Sequence, residues 1–182
     1  MTLAACRKLF RAVLLVAALV TLESCGDETE TPKGTEVSAT ALSGAGPRLD
    51  PCDAVPAEVL ARDGLAVRKP KSYAQVIEDP ELRFSGCQVG DADQRVAFYL
   101  EATNMTLDYL EHSKISANYS FQRVRVDARD GTLASNKQFP GQCLLLVRMS
   151  DYGLLLDGSF PDRSCAGAVD IASTIVPVLE GK

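Results

Sequence analysis

Apolar residues are distributed along this chain in three patterns. Residues 12–22 (AVLLVAALVTL) are a short, nearly unbroken apolar run, and residues 26–49 hold almost no large apolar side chain. From residue 50 onward, apolar positions recur with helical or strand periods. Pro56 in a first turn, Glu58 at the positive end of a helix dipole and Gly64 as a stop predict a helix over 55–63, with Val55, Val59 and Leu60 at helical spacing. Ser72-Tyr-Ala-Gln75 has capping-box form and predicts a short helix to about Glu78. Val96, Phe98 and Leu100 alternate within 94–102, as in a strand. Asn104 is placed to cap a helix through about Ser113, carrying Leu107 and Leu110.

Strand-like runs follow at 119–127, 132–138 and 142–149, with Asp130-Gly131 as a hairpin turn. Asp151-Tyr-Gly153 leads into one more strand, GLLLDGSF. The runs LLLV and LLL are almost continuously apolar, which predicts central strands covered on both faces. A last helix from 164 to 176 or beyond offers Ala168, Val169, Ala172, Ile175, Val176 and Leu179 to a core, and Pro177 should kink or end it. The expected class is α+β: an antiparallel sheet with N-terminal and C-terminal helices packed on it.

The N-terminal run changes the picture of where such a domain resides. Eleven residues are too few to span a bilayer, which needs about 20. Behind Arg7, Lys8 and Arg11 the run has the form of a signal-peptide core. Leu22-Glu23-Ser24-Cys25 then resembles the lipobox of bacterial lipoproteins: an aliphatic residue, a small residue just before the cysteine, and the cysteine itself. That resemblance implies cleavage before Cys25 and a diacylglycerol on its thiol. Glu23 departs from the small or uncharged residue usual there. Buried acyl chains contribute about 0.8 kcal/mol per CH₂, so two or three of them hold a protein at a membrane durably.

The expected organisation is a lipoprotein signal at 1–24, a lipidated cysteine and flexible tether at 25–49, and one α+β domain at 50–182. The tether is rich in Gly, Ser, Thr and Glu, a composition that builds no core, and its r.m.s. span would be on the order of 25–30 Å. The whole chain holds 24 acidic and 19 basic residues. Loss of residues 1–24 removes three cations and one anion, leaving 16 basic and 23 acidic residues and a formal charge of −7. Such a domain should stand off anionic lipid, and it shows no basic stripe for nucleic acid.

Four cysteines remain in the folded part: Cys52, Cys87, Cys143 and Cys165. An even number in an exported domain reads as two disulfides, with three connectivities possible. Zinc ligands usually come in close pairs, whereas these cysteines lie at least 22 residues apart and His112 is the only histidine. The pairing favoured here is Cys52–Cys87 with Cys143–Cys165, each tying one helix to one strand.

A family resemblance rests on these same residues. DPCDAVPAEVLARDGL at 50–65, behind a lipobox and a polar linker, resembles the opening of the family called domain of unknown function 3558. Its members start with a Cys-Asp-Leu-Leu-Thr-Pro-like helix followed by a second cysteine on a strand, the place taken here by Cys87 in FSGCQV. The cysteine on a strand in GQCLLLVRM, the following hairpin and the cysteine opening DRSCAGAVDIASTIVPVL are similar too. Val89 stands where the family usually has Trp, and Val55 where it usually has a helix-capping Thr. The resemblance covers 50–180 and implies an actinobacterial surface lipoprotein with the same disulfide pairing, but no known activity. More loosely, the element order resembles a Mog1/PsbP-like sandwich.

Catalytic patterns fail on their parts. Gly44-Ala-Gly46 lacks a third glycine, since Leu49 stands there, and it does not follow a strand. Asp91 and Asp93 begin like a calcium loop, but Val96 and Ala102 occupy the positions that require Gly and Glu. No G-x-S-x-G, H-E-x-x-H or G-K-[ST] occurs. His112 is the one candidate general base, and it falls off the Leu107/Leu110 face among polar neighbours. Arg123, Arg125 and Arg129 could recognise an anion, though alternate arginines on a strand more often form its wet face. Asn104-Met-Thr106 matches a glycosylation acceptor. The functional expectation is a membrane-anchored, non-enzymatic binding module without cofactor or metal, whose partner is a protein or a small apolar ligand. A lipid carrier or a hydrolase of unrecognised type are the alternatives.

Overall fold

The computed structural model describes residues 47–70, 79–160 and 165–181, all within one compact unit spanning Val37–Lys182. The signal run, Cys25, most of the tether and the helix expected at 72–78 lie outside the described residues. Asp50 caps the short helix α1 (Pro51–Ala54), its carboxylate accepting from the Cys52 N–H at 2.9 Å, with Pro51 in the first turn. Pro56 is the N-cap of α2 (Ala57–Arg62) rather than a residue of its first turn, and Gly64 ends it at φ +70°. The single helix expected over 55–63 is therefore two pieces, broken where Val55 and Pro56 adopt extended backbone.

Strands follow as β1 (Leu65–Pro70), β2 (Phe84–Asp91) and β3 (Ala97–Thr103). After α3 (Leu107–His112) and a 3₁₀ turn (Lys114–Asn118) come β4 (Tyr119–Val126), β5 (Arg129–Asn136), β6 (Gln142–Arg148) and β7 (Gly153–Ser159), and α4 (Ala166–Glu180) closes the chain. The strands form one seven-stranded antiparallel sheet in the order β1-β2-β3-β7-β6-β5-β4. The two leucine-rich runs thus occupy the middle, β7 at the centre and β6 beside it, and the class is α+β as expected.

Each sheet face carries its own core. On the first face, Val89, Phe98, Leu100, Leu145, Val147, Leu154 and Leu156 pack against Val59 and Leu60 of α2 and Ala168, Ala172, Ile175 and Val176 of α4. On the second, Leu144, Leu146 and Leu155 meet Leu107 and Leu110 of α3, with Met105, Leu82 and Tyr119 around them. Alternation along a strand sends neighbouring leucines to opposite faces, so both need a lid.

Several expectations need correction. Strand β3 begins at Ala97, because Gln94 sits in the preceding turn at φ +57°. The cap of α3 is Thr106, whose hydroxyl accepts from the Tyr109 N–H at 3.0 Å, and not Asn104. The β4–β5 turn is Asp127-Ala128, with Asp127 at φ +53°, while Asp130 and Gly131 pair inside β5. A Cβ on Gly131 would stand 3.1 Å from the Leu146 carbonyl, so this glycine permits close strand packing rather than a turn. Pro177 lies inside α4, which runs on to Glu180; the continuation buries Leu179 and sets Glu180 against Arg129. Ile171, absent from the expected core face, is buried there too.

Candidate functional site

The first face is stapled. Cys52 on α1 bonds to Cys87 on β2, and Cys143 on β6 bonds to Cys165 at the start of α4, with Cα separations of 6.0 and 5.7 Å. These are the two pairs that the family resemblance implies, and each ties a helix end to a strand of the sheet. Disulfides persist in oxidising surroundings, so the domain belongs to an extracytoplasmic compartment. No described helix is long and apolar enough to cross a membrane.

The residues singled out as possible chemistry are held in local structure. His112 is exposed at the end of α3, its Nδ1 2.9 Å from the Asp108 carbonyl one turn back. Among the described residues no serine or carboxylate side chain is recorded against it. Arg123 reaches Glu111 at 2.8 Å and Asp108 at 3.5 Å, Arg125 reaches Asp130 at 2.9 Å, and Arg129 meets Glu180. Each guanidinium has a carboxylate, which removes the free positive field that anion recognition needs. Asp91 accepts from the Val96 N–H at 3.1 Å and pairs with Arg95, closing the β2–β3 loop. Asn104 is buried: its Oδ1 accepts from the Arg83 N–H and its Nδ2 donates to the Glu81 carbonyl. It latches the segment before β2 and is not a surface acceptor.

Arg123, Val124, Arg125, Asp130 and Gly131 line a surface recess of about 280 Å³ on the β4–β5 hairpin. It lies on β4, which ends the sheet order, so that among the described residues its outer backbone groups meet no further strand. Charged groups of both signs, Arg123, Arg125 and Asp130, stand around it, with Val124 and Gly131 between them.

The residues that the sequence reading missed lie on the second face. Register sets them in rows: Gln88, Tyr99, Asp157, Leu144, Ala134 and Phe121 in one, then Gly86, Glu101, Leu155, Leu146, Thr132 and Arg123 in the next. Asp157 on the central strand is 2% exposed, and its Oδ2 receives no hydrogen bond from the described residues. Glu101, on the adjacent strand and one row away, is fully buried. Burial pushes the Asp157 carboxyl up to about 7. Tyr119, also buried, is raised first by its own desolvation and further by the charge of Asp157, against a hydrogen bond with Asn136 that lowers it. The available signal was a single acid inside an apolar run, LLLDG, which a central strand must bury.

A family model described as "Protein of unknown function (DUF3558)" matches residues 20–178. No curated protein and no solved structure matches the chain.

Proposed function

The chain belongs to the DUF3558 family, and from that premise we propose that it is an extracytoplasmic lipoprotein, acylated at Cys25, whose stapled α+β domain is a non-enzymatic binding module for a protein partner. One observation carries the reading: two disulfides that need an oxidising compartment, on a chain whose N-terminus has an n-region, a short apolar run and a cysteine after Ser24. The tether at 25–49 then holds a surface at a distance from the bilayer. The recess on the β4 edge, where Arg123, Arg125 and Asp130 surround Val124 and Gly131, is a surface that a protein partner could meet.

The anchor is tested by expressing the full chain in a high-GC Gram-positive host and taking the mass of the N-terminal peptide. A diacylated Cys25 and membrane fractionation are expected, and Cys25→Ala should release the domain to the medium. A wild-type chain that is secreted unacylated, cut elsewhere, would overturn the anchor. Native mass spectrometry of the exported chain separates the binding modes. A small-molecule adduct lost on denaturation would favour the carrier, whereas a bare domain keeps the protein-partner reading.

A further inference from the structure

A carboxylate on the central strand of a sheet is costly to keep. Asp157 lies opposite Tyr99 on β3 and Leu144 on β6, two residues from Leu155, and those leucines belong to the core that α3 closes. Ionised and without a donor on Oδ2, it would carry a full desolvation cost in the same core. Something must bind that oxygen. At 2% exposure it cannot receive an organic ligand without displacing its neighbours, and the charged recess belongs to β4 and β5, beyond β6. A proton is the smallest species that satisfies it, and it needs no displacement of the neighbours.

We propose that Asp157 is a proton-binding switch beneath the α3 layer: protonated, it lets the second core close over the sheet, and ionised, it must be rehydrated, which opens that core between α3 and the β6–β7 pair. The described groups able to modulate it come from each neighbouring element. Tyr99 and Glu101 face it from β3 and Tyr119 from β4. On α3, Glu111 is engaged by Thr132 and Arg123. The 3₁₀ turn contributes Lys114, which is exposed, and the second-face residues of β6 beside Asp157, Gln142 and Leu144, do not titrate. Glu101 lies fully buried on the same face, one row away. Burial alone brings Asp157 to about 7, which sets the switch at neutrality. Closure belongs to mildly acidic surroundings and loosening to neutral or alkaline ones.

Amide hydrogen exchange of the full chain, corrected for intrinsic rates, tests this between pH 5 and 9. In the wild type, protection of α3 and of β6 should fall about tenfold per pH unit up to neutrality and level off above it, as release of one proton requires. In Asp157→Asn it should stay flat. Exchange that does not accelerate in sub-denaturing urea marks a local opening. Flat protection in the wild type overturns the proposal, as does a slope that survives in Asp157→Asn. A urea dependence matching whole-domain unfolding overturns the local opening. If Asp157→Asn fails to fold, ¹³C-carboxyl titration of Asp157 in the wild type decides instead: a midpoint near neutrality supports the switch, and one in the ordinary aspartate range overturns it.

Discussion

Asp157 and Gly158 are neighbours on β7 that face opposite cores, and they show what single residues cost in a sheet covered on both sides. A Cβ on Gly158 would stand 2.2 Å from the Ala97 carbonyl oxygen and 2.5 Å from the Phe98 Cα. Both contacts are backbone on the paired strand, so no rotamer relieves them. Gly158→Ala should destabilise the domain by about 3 kcal/mol, the upper end for overpacking, and lower the urea midpoint. Asp157 acts through pH. Its folded value lies above the unfolded one, so the folded state holds a proton that the unfolded state has lost. Stability is then full below the ordinary aspartate value and falls as pH rises toward about 7, by roughly 4 kcal/mol in total. Urea midpoints that decline from pH 4 to 7 in the wild type, and hold level in Asp157→Asn, are the expected result. A midpoint rising over that range would contradict the assignment of the sign.

Elements were legible wherever the apolar period was long, and illegible where one residue had two uses. The runs LLLV and LLL identified the central strands because a strand buried on both faces is apolar at successive positions, and turn residues bound both runs. Asp130-Gly131 misled, because the pair that marks a hairpin also suits a close strand approach; Asp127 took the positive φ instead. Pro177 misled because tertiary burial of Leu179 outweighs a lost helix hydrogen bond near the end of α4. The cap of α3 was misplaced by two residues, since Asn104 is spent on Arg83 and Glu81. Thr106→Ala should therefore cost about 1 kcal/mol and raise exchange in α3, while Thr106→Ser should retain most of the cap. Equal losses in both variants would place the role of Thr106 elsewhere. Asp157 was illegible for a different reason: an apolar run shows that its members are buried, but not which groups meet the Oδ2 of an acid within it.

At the scale of the whole molecule, the stapling is asymmetric in a way that bears on where the protein can exist. Both disulfides fasten helices to the first face, whereas α3 on the second is held by packing and by Thr132 and Arg123 contacts to Glu111. The two closed segments, 52–87 and 143–165, neither overlap nor nest, so their constraints on the unfolded chain add. Loops of this length contribute about 3–4 kcal/mol each in the chain-entropy model, hence about 7 kcal/mol together. That is comparable with the entire stability of an ordinary domain, roughly 5–15 kcal/mol. Reduction should therefore leave a marginal or unfolded chain, and the second face, already the less restrained, should lose protection first. Urea unfolding of the full chain with and without dithiothreitol measures this directly. A midpoint that collapses on reduction means that the fold itself demands an oxidising compartment, independently of any signal at the N-terminus. An unchanged midpoint would mean that the two cores suffice, and the disulfides would then no longer argue for where the domain resides.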